Sequence, residues 1–142
     1  MSNNTINNLV DKLSAKKDAW LLLLRLTVGP IFFQAGLGKF QNFERTAGFF
    51  SNIGIPFAEL NVVLAAGTEL IGGLLILLGL FTQLVSIPLA FVMLVALLTA
   101  HLAEVNSLMD LFAQTPFIYM VIFLVLSSTG AGKWSVDSKR DN

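Results

Sequence analysis

Three runs of about twenty predominantly apolar residues set what this chain can become, because a helix of that length spans the roughly 30 Å hydrocarbon core of a bilayer. Ala19 to Phe40 is interrupted by Arg25, Gln34 and Lys39, and Leu60 to Leu80 by Asn61, Thr68 and Glu69. Leu84 to Ala103 carries Ser86, Pro88, Thr99 and His101. A fourth run, Leu111 to Ser128, is shorter and contains Pro116. Charged residues make up only 13% of the chain and apolar ones 55%, with a mean hydropathy of +0.75. A soluble domain carries about 25% charged residues, and one this small leaves too much surface exposed to hide so much apolar area. The sequence is that of an all-α integral membrane protein, a bundle of four transmembrane helices over approximately 19–40, 60–80, 84–103 and 111–128.

Composition also removes chemistry. Nine basic and nine acidic residues leave no net charge, where a nucleic-acid binder shows a strong basic excess. The absence of cysteine excludes disulfides, thiolate metal sites, iron–sulfur ligation and cysteine nucleophiles. A single histidine makes a histidine-based metal centre poor, so no haem, iron–sulfur or zinc site is expected.

The first span is too long for the apolar core of a signal peptide, and no small-residue cleavage site follows it, so it is expected to be retained. Lys12, Lys16 and Lys17 precede it, and Lys133, Lys139 and Arg140 follow the last span. Only Lys39 and Arg45 lie in the first loop between spans. With four spans, this bias puts both termini in the cytoplasm, and Trp20 and Trp134 at the same interface. Residues 1–18 hold Ile6, Leu9, Val10 and Leu13 at helical spacing, which suits a short helix in the membrane surface; a frayed polar terminus is the competing reading. Residues 129–142 read as a cytoplasmic tail. The loop Gln41 to Glu59 is rich in phenylalanine, placed on the membrane surface or capping the bundle. Thr115-Pro116 can open a helix; a start near Asp110 with a kink at Pro116 is preferred, because it gives the fourth span more length. No repeat or boundary divides the chain, which reads as one domain over 1–142.

Ionisable groups at membrane depth are costly and normally face the bundle interior. Arg25, Glu69 and His101 are the candidates, with Lys39 close enough to an end to snorkel. At 100° per residue Arg25, Gly29, Phe32, Gly36 and Lys39 share one face of the first span, with Gln34 opposite. Glu69 shares a stripe with Ala65, Gly72, Gly73 and Ile76, and small residues let helices approach closely in lipid. His101 shares a face with Ala90, Leu94 and Leu97. The backbone levels of Arg25 and Glu69 differ by about 9 Å, which two extended side chains bridge. The expected site is therefore one polar cavity lined by Arg25, Glu69 and His101, with Lys39 near its mouth. Each residue has a plainer reading: Arg25 snorkelling to phosphates, Glu69 joining helices as a structural carboxyl, His101 as an interfacial histidine, and Gln34 as an interhelical hydrogen-bonding group. The glycine faces would also serve a homodimer.

These residues fall in an order that resembles the DoxX family of small four-helix bacterial and archaeal membrane proteins. The match runs through Arg25-Leu26, Gly29-Pro30-Ile31-Phe32-Phe33, Gly36-Leu37-Gly38-Lys39-Phe40, Thr46-Ala47-Gly48-Phe49-Phe50 and Gly54-Ile55-Pro56. It continues in Glu69-Leu70-Ile71-Gly72-Gly73, on to Gly79-Leu80-Phe81-Thr82, and in Met93-Leu94-Val95-Ala96 before His101. The resemblance covers roughly residues 20 to 128 and is weakest in the fourth span. It implies a multi-pass protein of the cytoplasmic (inner) membrane, tied to quinone-linked oxidation and acting with partner subunits. On that reading Glu69 and His101 are the catalytic candidates, and Arg25, Lys39 and Gln34 the ligand-binding ones. The implied ligand is a quinone or quinol, and the implied activity that of an oxidoreductase subunit without a tightly bound metal. Two other functions compete: a non-catalytic scaffold or assembly factor for a redox or stress-response complex, and a small transporter, disfavoured because no repeat or interrupted helix is visible.

Overall fold

The computed structural model describes residues 2–140, and within them every regular element is helical. Residues 1, 141 and 142, the outermost positions of the expected domain, lie outside the described residues. Three segments are long and apolar enough to cross a membrane: Lys17–Gln41, Ala58–Leu78 and Thr82–Glu104. The first two are the helices α2 and α4. The third begins as α5 (Thr82–Ala96) and continues as a π-helical turn, Leu97–His101, and a short 3-10 turn, Leu102–Glu104.

Ahead of them lies α1 (Ser2–Ser14), an ordered helix on which Ile6, Leu9, Val10 and Leu13 are all exposed. The helical spacing of those residues, rather than fraying, decides the local structure. The first loop also turns out to be helical, as α3 (Phe43–Asn52), which packs on α4.

Small residues govern the main interface. A Cβ on Gly36 would meet the backbone of Ala66 and Leu70, one on Gly29 that of Gly73 and Leu77, and one on Gly73 the backbone of Phe33. Without those Cβ atoms α2 and α4 run antiparallel with their backbones nearly touching, as helices do in lipid when packing rather than hydrophobicity holds them. The glycines considered for a homodimer are therefore occupied within the chain. The other principal pairing is α5 on α7 (Thr115–Thr129). The pairs are joined by α4 against α5, and by Phe32, which packs edge-to-face on Tyr119 and Phe123 of α7 with ring centroids 5.0 and 4.7 Å away.

The region before α7 departs from the expected kinked span. A separate short helix, α6 (Leu108–Ala113), is capped by the Ser107 hydroxyl, which accepts from the Asp110 amide. Gln114 then takes an extended conformation, and α7 starts at Thr115 with Pro116 in its first turn. Proline lacks the amide that an interior turn needs and disfavours helical geometry in the residue before it, so a break is the local solution. The cost is length: fifteen residues of α7 rise about 22 Å, short of a full hydrocarbon core.

The segment after α7 is not a free tail. Ala131 and Ser135 are buried, and the chain ends its described part in a short helix, α8 (Val136–Arg140). The Asp137 carboxylate accepts from the amides of Phe81 and Thr82 at 2.8 and 3.0 Å, capping the start of α5. The Lys133 amide donates to Asp18 near the start of α2. These bonds bring the starts of α2 and α5 and the ends of α4 and α7 together at one end of the bundle, here the terminal end.

Candidate functional site

Arg25 and Glu69, expected to pair, are separated by the register of α2 on α4. Gly36 faces Ala66 and Leu70, and Gly29 faces Gly73 and Leu77; one turn below Gly29, Arg25 meets the last turn of α4. The last carbonyls of a helix have no intrahelical amide to accept from, and the guanidinium donates to two of them and to two carbonyls of the segment after α7. Nε donates to Ile76 O (3.0 Å), Nη2 to Leu77 O (3.1 Å), and Nη1 to Ala131 O and Trp134 O (2.9 and 3.0 Å). Arg25 is only 2% exposed. Rather than snorkelling or lining a cavity with Glu69, it ties the end of α4 to the segment after α7. Gly79, in the left-handed conformation (φ +69°), closes α4 where a Cβ would strike that guanidinium.

Glu69 finds its partner at the opposite end. Lys39, in the last turn of α2, donates its ammonium to Glu69 Oε2 at 2.5 Å, and the carboxylate side chain is 3% exposed. The same register explains the choice: three residues beyond Gly36, Lys39 lies about one turn of α4 from Glu69, within reach of its long side chain, while Arg25 lies more than two turns away on the other side.

The pair borders a pocket of about 460 Å³ enclosed by the end of α2, by α3, α4 and α5, and by the π turn. Lys39, Glu69 and His101 all line it. Its walls are otherwise mainly apolar, including Phe49, Phe50, Ile53, Phe91 and Met93. Two of the phenylalanines of the first loop therefore form a wall of this pocket rather than a loose surface patch. A π turn inserts an extra residue into the helical repeat and occurs often at functional positions; here it carries His101 to the pocket wall together with Thr99 and Ala100. The expected polar cavity is thus a mainly apolar pocket with three ionisable groups, and Arg25 is not among them. Gln34 is exposed on α2 and does not line it.

Sequence reasoning passed over Asn61, Thr68 and Thr99, which also line the pocket. Each was visible as a polar interruption of an apolar run, but none is ionisable, so cost in lipid did not single it out. Thr99 Oγ1 is engaged with Val95 O, and Asn61 Nδ2 donates to Pro56 O, both at 2.7 Å. Among the described residues no cluster of three or more histidine, cysteine or acidic side chains is arranged to hold a metal.

Together these features define a helical integral membrane protein with an ion pair bordering a mainly apolar pocket. Residues 20–102 match the DoxX family model, and the chain belongs to the DoxX family. It is 44% identical over 81 residues to Bacillus subtilis CatD, whose name provisionally reads oxidoreductase. That match covers 57% of this chain and 59% of CatD, so the chain spans less than two thirds of that relative. Escherichia coli inner membrane protein YqjF is 34% identical over 124 residues, covering 85% of this chain and 92% of YqjF. An uncharacterized protein of Haemophilus influenzae is 32% identical over 122 residues, covering 83% and 81%. No solved structure gives a significant match.

Proposed function

We propose that this protein is the membrane component of a quinone- or quinol-linked redox system, holding the quinone head group in the Lys39–Glu69–His101 pocket. One observation carries the reading: three ionisable side chains line a mainly apolar pocket of about 460 Å³, the size and make-up of small-molecule sites. A quinone supplies two carbonyl acceptors and takes up two electrons and two protons on reduction. Toward such a head group the Lys39 ammonium is a donor, the His101 ring donates or accepts according to its tautomer, and the Glu69 carboxyl can hold or release a proton. The phenylalanines supply faces against which a flat ring stacks.

Another protein must supply the electrons for quinone reduction or accept them from quinol oxidation, because a chain with no cysteine and one histidine cannot ligate an iron–sulfur cluster or a bis-histidine haem. A redox partner subunit is therefore part of the proposal. The oxidoreductase in the name of CatD supports the same class of chemistry. The name of YqjF supports the bacterial inner membrane as the location. The basic residues at both ends of the chain favour cytoplasmic termini, with α7 as a fourth, short span.

The test is ligand-induced stabilisation of the purified full chain in detergent. A benzoquinone without a tail, at about a hundred times its dissociation constant, should stabilise the wild type by about 2.7 kcal/mol. Glu69→Gln and His101→Ala should each lose most of that shift. Equal stabilisation of all three proteins would show that quinones do not use this pocket.

A further inference from the structure

The pocket abuts a second cavity. Leu64, Thr68 and Pro88 line both, and the second, of about 340 Å³, lies on the outer face of α4 and α5. From this shared corner the second cavity runs along α4 toward the terminal end, past Gly67 and Ile71 to Leu75, with Val85 on the α5 side. Val63 and Leu75 bracket about 18 Å of helix. The groove is almost wholly apolar, and its rim is open to the membrane, since Val63, Leu64 and Ile71 are exposed. Gly67 lines the groove without a side chain, and a Cβ there would enter open space. Pro88, which lines both cavities, has no amide hydrogen and offers them only an apolar ring.

We propose that this groove between α4 and α5 holds the hydrocarbon tail of the ligand whose head lies in the Lys39–Glu69–His101 pocket, so that the ligand is a polyprenyl- or alkyl-tailed molecule rather than a head group alone. This rests on the quinone reading of the pocket. The polar groups sit at one end and the apolar track leaves from it, the polarity order of a tailed quinone. A tail already dissolved in lipid gains nothing from leaving water. Its preference for the groove comes from packing against a surface shaped by the missing Gly67 side chain, as helix–helix contacts in lipid do. The opening toward the bilayer lets such a ligand enter sideways without passing through water.

The experiment uses the full chain in lipid nanodiscs and two photoreactive probes. One is a benzoquinone with a ten-carbon tail ending in a diazirine, and the other a phosphatidylcholine with the same diazirine on one acyl chain. The quinone probe should label residues 63–75 and 85–88 in the wild type and fall by about tenfold in Gly67→Leu, a loss equivalent to 1.4 kcal/mol. Leucine is a better helix former than glycine and its Cβ meets open space, so the variant folds. Gly38→Leu, also with nothing within 4 Å of its Cβ, is the control and should label like the wild type. Quinone labelling that ignores Gly67→Leu overturns the proposal, as does equal groove labelling by the phospholipid probe, which would make the groove an ordinary acyl-chain site. A tailless benzoquinone separates the two levels. If it still stabilises wild type and Gly67→Leu alike while the labelling prediction fails, only the tail groove is lost. If it stabilises neither, the quinone reading fails and the tail proposal with it.

Discussion

Lys39 reaches Glu69 across the α2–α4 interface, thirty positions along the chain, and Arg25 is left to a different task at the far end of the same interface. Both basic residues lie on the glycine-bearing face of α2, and the antiparallel register alone assigns one to the carboxylate and the other to backbone carbonyls. The pocket inherits its polar edge from the first pairing, and the terminal end its closure from the second.

If the ion pair is energetically coupled, Lys39→Met should destabilise the protein by about 3 kcal/mol, because it leaves a buried charge without its partner. The double variant Lys39→Met with Glu69→Gln should recover about half of that loss. Thermal unfolding in detergent of both singles and the double gives the coupling directly. Additive losses would mean that the contact carries no interaction energy.

Arg25→Met should remove the guanidinium from the carbonyls of Leu77, Ala131 and Trp134, while Ile76 O keeps the Gly79 amide, at about 3 kcal/mol. Its signature is local. Hydrogen exchange should accelerate over residues 130–140, while the Lys39–Glu69 end keeps its protection. Arg25→Lys should rescue little, because an ammonium has three donors and cannot reproduce the planar fork that serves four acceptors. Full protection of 130–140 in Arg25→Met would show that the segment is held by other contacts.

Gly36→Ala should cost about 1–3 kcal/mol, since its Cβ meets the backbone of Ala66 and Leu70 and the helices must part. Gly38→Ala, two residues away and facing open space, should be neutral or stabilising by up to about 1 kcal/mol. Unfolding midpoints of the two variants compare them under one condition, and equal tolerance would contradict the close approach of α2 and α4.

Asp137→Ala should cost about 1 kcal/mol by removing the acceptor for the amides of Phe81 and Thr82 at the start of α5. Asp137→Asn should retain part of that, because its side-chain carbonyl still accepts one bond. Chemical denaturation in mild detergent measures both, and an unchanged midpoint in Asp137→Ala would remove the cap from the account.

Reporter fusions before α2 and after Lys133 should both report the cytoplasm. The basic residues at Lys12, Lys16, Lys17, Lys133, Lys139 and Arg140 outnumber those of the first loop. Opposite readings at the two ends would show that α7 does not cross the membrane.

The sequence by itself determined the helices and their medium. Run length and hydropathy are local properties, so α2, α4 and α5 lie where the apolar runs do. The helical repeat likewise identified the packing faces, with Gly29, Phe32, Gly36, Gly72 and Gly73 all buried. It also picked out Lys39, Glu69 and His101, because a charged or titratable side chain at that depth is costly wherever the helices pack. What it could not determine is which of these residues meet. Pairing depends on the axial register of one helix on another, and that was decided by the points where missing Cβ atoms let backbones touch. Two extended side chains could bridge Arg25 and Glu69 in isolation, but the register gave Arg25 the terminal carbonyls of α4 and gave Glu69 to Lys39. The break at Gln114 is local, set by Pro116. The folding of residues 130–140 onto Arg25 is a tertiary outcome: it answers donors supplied by another part of the chain, and no local pattern encodes it.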